Sequence, residues 1–211
     1  KGFQQRLDPD QDVSSPTLTK EALRLTCQFA ATTRVSLRTK DASRAFLQAD
    51  NRHAGTARVA VTPPPEAGLP DDVVWEIVKP LHGLATSPRA FFATVHTKLI
   101  ALNFKQSKFD KSLCVLRSSG GEVIGVVGTH VDDFVFAGTK EFDEIMENFW
   151  QAFVFGDTER AFDKIQCVGL TMQQDPNTFE VNLDLEKHVS THMHEVQVSE
   201  GEDTDKATPE T

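Results

Sequence analysis

The chain has no tyrosine and only three cysteines in 211 residues. Cys27, Cys114 and Cys167 stand far apart among apolar neighbours, so there is no CxxC pair and no metal-binding spacing. Buried, reduced thiols are the reading left for them, and with it an intracellular protein. No apolar run approaches the roughly 20 residues that a membrane-spanning helix needs. The opening Lys1-Gly2-Phe3-Gln4-Gln5-Arg6 is too polar for a signal-peptide core. No methionine precedes it, so a piece of a longer polypeptide is expected. P-loop, GxSxG and GxGxxG patterns are all missing, which leaves nucleotide-switch and hydrolase readings without footing. Positive charge is scarce as well: 22 Lys and Arg face 31 Asp and Glu, for a net charge of -9. Such a balance argues against a protein that coats itself in nucleic acid.

Much of that deficit is local. From Glu195 onward six acids face one base, Lys206. Residues 191–211 therefore read as an acidic, disordered tail, and residues 1–190 as one folded domain. Within the domain Thr19 is placed to cap a helix that ends near Thr33. Val35, Leu37, Thr39 and Asp41 then fall on one side of a strand. Three prolines, Pro63 to Pro65, force a surface loop that continues to Pro70, and a strand is expected over 73–78. Ser87 is read as the cap of a second helix with Pro88 at its first position. Strands over 113–116 and 122–129 flank a Ser118-Ser119-Gly120-Gly121 turn, and Phe134-Val135-Phe136-Ala137 forms the next. A helix over 140–153 and strands near 165–172 and 178–184 complete an α+β pattern, an antiparallel sheet backed by helices.

Only His130-Val131-Asp132-Asp133 separates two of those apolar strands, so a tight hairpin carries two adjacent carboxylates at its tip. Acids beside buried strands cost several kcal/mol, on the order of a lost solvation shell, unless a cation or hydrogen-bond donors compensate. Asp41 ends another strand. Three converging carboxylates form a hard-oxygen donor set suited to Mg²⁺ or Mn²⁺. The pair Asp71-Asp72, in a proline-flanked loop, shows the plainer alternative of solvated turn residues. His188, His192 and His194 read as part of a polar C-terminal helix rather than as metal ligands.

Several blocks together resemble the reverse transcriptases of copia-type retrotransposons, the RNA-dependent DNA polymerase part of a Pol polyprotein. Asp41-Ala42-Ser43-Arg44-Ala45-Phe46-Leu47-Gln48 is similar to the family's first catalytic motif. His82-Gly83-Leu84 with Ser87-Pro88-Arg89-Ala90 resembles a second block, and His130-Val131-Asp132-Asp133 the catalytic box, followed by Ala137-Gly138-Thr139. Val168-Gly169-Leu170 looks like the later primer-grip turn, and Lys1 to Gln5 with Ser15-Pro16 like the lead-in. The resemblance implies a polymerase palm and fingers, truncated at the fingers N-terminus and the thumb. It implies Asp41, Asp132 and Asp133 as catalytic ligands of two Mg²⁺ or Mn²⁺ ions. The amides of Ala42 and Ser43, with Phe46 and His82, would meet the nucleotide, Phe46 as a steric gate against a 2′-hydroxyl. His130, Val168, Gly169 and Leu170 would position the primer. Lys164 would protonate pyrophosphate, against the plainer reading of a solvated lysine. Implied partners are an RNA or DNA template-primer and deoxynucleoside triphosphates, with no membrane. The implied setting is a cytoplasmic particle, and then the nucleus. Two departures stand out: His130 replaces the family's tyrosine and Ala85 its usual lysine. They keep a second expectation open, an inactive remnant or a co-opted binding module with the same fold.

Overall fold

Thr19 caps the first helix as its chemistry requires, its Oγ1 accepting from the Ala22 amide at 3.2 Å. The helix, α1 (Lys20–Thr33), ends at Arg34 in a left-handed conformation whose amide closes back on Ala30 and Ala31. A computed structural model describes residues 13–50, 59–185, 189–191 and 193. The lead-in Lys1 to Gln5, the three C-terminal histidines and the acidic tail apart from Thr191 and Met193 lie outside those residues.

Among the described residues, ten further strands and two α-helices follow β1 (Arg38–Asp41). They are β2 (Val59–Val61), β3 (Trp75–Ile77), α2 (Ser87–Ala101), β4 (Lys105–Gln106), β5 (Leu113–Arg117), β6 (Val123–His130) and β7 (Asp133–Gly138). Then come α3 (Lys140–Gln151), β8 (Glu159–Arg160), β9 (Ile165–Cys167), β10 (Leu170–Gln174) and β11 (Val181–Asp184). Six strands form an antiparallel sheet in the order β4-β5-β6-β7-β1-β8. The last three strands make a meander and β2 with β3 a short ribbon. The expected α+β pattern of antiparallel sheet and helices is present.

Both faces of the large sheet are covered, which explains why β6 and β7 read as near-continuous apolar runs. Along β7, Phe134 and Phe136 enter a core shared with α2 and α3. Val135 and Ala137 point the other way, into a core shared with α1 and the meander. The first core is aromatic: Phe134, Phe136, Phe149, Trp150 and Phe155 meet with ring centroids 4.7–6.3 Å apart. Arg38 and Lys40 of β1 lie over its rim, Arg38 above Phe136 and Lys40 above Trp150 and Phe155.

One buried acid went unforeseen. Asp110 takes the Thr19 amide and hydroxyl at 2.9 and 2.7 Å and the Ser112 amide at 2.7 Å, which fastens the start of α1 to the base of the β5–β6 hairpin. Asp110→Asn turns one acceptor into a donor facing Thr19. It should lower unfolding free energy by about 2 kcal/mol in urea titration.

Two expectations need correction. Ser87 does not cap α2: it is the first helical residue, the cap position is Thr86, and the Ser87 hydroxyl donates instead to the Leu81 carbonyl at 2.7 Å. The strand expected near 165–172 is two strands joined by a tight turn at Val168 and Gly169, both at positive φ.

Candidate active site

The β6–β7 hairpin closes with His130 opposite Asp133 and a two-residue turn, Val131-Asp132. Val131 sits at φ 60°, a conformation that costs a β-branched residue on the order of 1–3 kcal/mol. That turn places Asp132 next to Asp133 at the hairpin tip. β1 pairs with β7 so that Asp41 lies directly across from Asp133, and the backbone carbonyl of Asp132 accepts from the Ala42 amide at 2.9 Å. Directly opposed residues share a face, so Asp41 and Asp133 lie on the side of Leu37 and Thr39, as the alternation of β1 predicts.

Their electrostatics record the crowding. Burial pushes the Asp133 carboxyl above its ordinary value, and the charges of Asp132, Asp41 and Glu159 push it further, while His130 opposes them. Asp41 is raised too, first by partial removal from water and then by Asp132. Removal from water first, and neighbouring like charges second, produce this pattern. Among the described residues no three ligating side chains already converge as a ready-made metal cage. The carboxylates of Asp41, Asp132 and Asp133 are by their chemistry hard oxygen donors, the class that Mg²⁺ takes one or two at a time together with waters and substrate phosphates. The donor set of Asp41, Asp132 and Asp133 therefore fits hard divalent ions.

A cavity of about 230 Å³ opens beside Asp41 and Asp133. Asp157, Glu159, Gln166 and Cys167 contribute to its walls. Asp157 and Glu159 were not legible in the sequence, because the two-residue strand β8, pairing Glu159 with Thr39, carries no pattern of its own. Cys167 precedes the Val168-Gly169 turn and so brings the start of the expected primer-grip turn to the cavity wall. Val168 packs against the core, Leu170 is buried, and Gly169 is open. All three cysteines are free and buried. Burial pushes Cys27 up to about 11, and Cys114 and Cys167 up to about 12, which leaves them inert as thiolates.

The nucleotide-side residues divide. Phe46 and His82 do come together, ring centroids 4.6 Å apart, with Phe46 buried and His82 exposed. The amides of Ala42 and Ser43 are not available to a phosphate. Ala42 donates to Asp132 and Ser43 donates to the Val154 carbonyl at 3.0 Å, so both hold the site together from within. Lys164 is exposed, in keeping with the plainer reading. Nδ1 of His130 is buried without a hydrogen-bond partner.

A family model described as "Reverse transcriptase (RNA-dependent DNA polymerase)" matches residues 1–209. The chain belongs to the reverse transcriptase family. Two relatives are copia-type polyproteins of Arabidopsis thaliana. The retrovirus-related Pol polyprotein from transposon RE2 is 31% identical over 143 residues, covering 65% of this chain and 9% of the relative. The one from transposon RE1 is 29% identical over 166 residues, covering 75% of this chain and 11% of the relative. The chain thus spans about a tenth of the curated relatives it matches. No solved structure matches. Among the described residues of this reverse transcriptase domain, no helix is long and apolar enough to cross a membrane.

Proposed function

We propose that the chain is the fingers-and-palm part of an RNA-directed DNA polymerase that extends a DNA primer on an RNA or DNA template. The observation that carries this reading is the register that sets Asp41 against Asp133 with Asp132 at the adjoining turn. In nucleotidyl transfer the primer 3′-hydroxyl attacks the α-phosphorus of a deoxynucleoside triphosphate. A P–O bond forms, the α–β bridge breaks, and pyrophosphate leaves. Two Mg²⁺ or Mn²⁺ ions, when bound, lower the pKa of the attacking hydroxyl and neutralise charge on the leaving group.

The chain's own residues supply the rest. Asp41 and Asp132 would be the principal holders of the ions, with Asp133, across from Asp41 on the facing strand, as the third carboxylate. Phe46, backed by His82, forms the floor on which the sugar lies, and the exposed His82 faces the nucleotide. His130 and the Val168-Gly169-Leu170 turn flank the carboxylates on the side where a primer end enters. The template-primer, the triphosphate and a particle-associated setting are proposed from the likeness to the family.

Primer extension on an RNA template with Mg²⁺ or Mn²⁺ tests this, comparing the chain with its Asp132→Ala, Asp133→Ala double variant. Extension should drop at least about a hundredfold, the scale on which single electrostatic contacts to a transition state are lost. Equal extension by both would sink the assignment of the carboxylates. Failure of both, with the fold intact by circular dichroism and no Mn²⁺ uptake, leaves a palm without chemistry, kept as a remnant or as a binding module.

A further inference from the structure

The turn from Asp41 to Ser43 is held by a side chain that behaves like a piece of backbone. Gln48 closes the 3-10 turn Ala45–Gln48 and folds its carboxamide back against the chain. Its Nε2 donates to the Ser43 carbonyl at 2.7 Å and to the Val154 carbonyl at 2.9 Å. Its Oε1 accepts from the Val154 amide at 2.6 Å. Two backbone bonds continue the same seam: Ser43 N–H to the Val154 carbonyl, and Gly156 N–H to the Asp41 carbonyl at 2.9 Å. Between them Ala42 and Phe155 form an isolated antiparallel bridge.

Backbone pairing alone would leave the Ser43 carbonyl and the Val154 amide without these partners. A carboxamide carries both a donor and an acceptor at peptide spacing, and it is the side chain that can satisfy both. The consequence reaches the site. Phe155 lies against Trp150 and Phe134 in the aromatic core, at 5.1 and 5.3 Å between ring centroids. The seam therefore ties Asp41, at the open end of β1, to a rigid part of the molecule.

We infer that Gln48 is a positioning residue for nucleotidyl transfer: its carboxamide pins the Asp41–Ser43 turn to Val154 and so fixes the Asp41 carboxylate relative to Asp133. This rests on the polymerase reading above. Gln48 touches neither Asp41 nor Asp133 with its side chain, so it acts through the backbone.

Three variants test it. Gln48→Ala removes the clamp. Gln48→Glu replaces the donor facing two carbonyl oxygens with a carboxylate, and protonation of that carboxylate restores one O–H donor. Gln151→Ala removes an exposed glutamine whose carboxamide donates to Glu147 on the same helix, and serves as the control. Mn²⁺ binding by titration calorimetry and steady-state primer extension are read on the full chain, with circular dichroism for the fold. Gln48→Ala should bind Mn²⁺ roughly tenfold more weakly and lose kcat about tenfold, with little change in KM. Gln48→Glu should be impaired at pH 8 and recover toward wild type near pH 5.5 in Mn²⁺ binding, measured relative to wild type at each pH. Gln151→Ala should match wild type throughout. A Gln48→Ala chain that binds Mn²⁺ and turns over as wild type does, or that loses only thermal stability, overturns the positioning role alone. A wild-type chain that neither takes up Mn²⁺ nor extends a primer overturns the polymerase reading and the positioning role together.

Discussion

Asp133→Asn should make the metal-free protein more stable while abolishing primer extension. The carboxyl of Asp133 is raised by burial and by three like charges. A native-state value above the unfolded one means that the folded state binds more protons over the interval between them. Stability is then highest below the unfolded value and declines as pH rises through the raised one. Asparagine has the same shape and no charge, so the penalty disappears at neutral pH. The gain should be about 1 kcal/mol, or a Tm rise of roughly 2–5 °C for a domain of this size, in thermal melts with chelator present. The difference from wild type should shrink on acidification and vanish once the native carboxyl is protonated. Adding Mn²⁺ should reverse the order. A ligand that binds only the native wild type raises its stability by mass action, whereas the variant has lost a donor. An Asp133→Asn protein less stable than wild type in chelator at neutral pH would show that the carboxylate makes favourable contacts in the fold, contrary to the strain inferred here.

How much of this was legible in the sequence depends on the length over which each pattern runs. The alternation Val35, Leu37, Thr39, Asp41 placed the first carboxylate on the correct face, because a period of two is fixed by the pleat. The four residues between two apolar runs gave the hairpin and its acids. What escaped has a common cause. The β8 strand is two residues long and pairs across more than a hundred residues with β1, so Glu159 beside Asp133 leaves no local signature. Asp110 looks like any turn aspartate until the chain folds Thr19 onto it. The family resemblance implies that the Ala42 and Ser43 amides meet the nucleotide. Val154, more than a hundred residues away, and Asp132 instead claim both. Ser87 beside Pro88 has the composition of a cap, yet the tertiary pull of Leu81 redirects its hydroxyl. Val168 occupies a left-handed conformation that its propensity opposes, and only the likeness of Val168-Gly169-Leu170 to the family's turn pointed to a break there.

Gly125→Ala and Gly138→Ala should each lower stability by about 3 kcal/mol or more, the largest single-methyl effects expected in the fold. The two glycines face each other in register on β6 and β7. Phe142, the first buried aromatic of α3, lies flat upon both. A Cβ at Gly125 would come within 1.9 Å of its ring, and one at Gly138 within 2.2 Å. The ring has no room to retreat, because it is fully buried and packs edge-on to Phe104 and beside Phe136. Urea unfolding midpoints measure the loss, with Gly120→Ala as a control, since a Cβ there meets nothing nearer than 3.6 Å. If the clash is the cause, adding Phe142→Leu to Gly138→Ala should recover part of the stability, although Phe142→Leu alone destabilises. Additive losses in that double variant would place the damage elsewhere. The same glycines bear on function. They let α3 sit directly on the hairpin whose other end carries Asp132 and Asp133, so a helix pushed outward by one methyl tilts the strands that set the carboxylates against Asp41. Gly138→Ala, assayed at a temperature where it remains folded, should therefore also weaken Mn²⁺ binding, whereas Gly120→Ala should not.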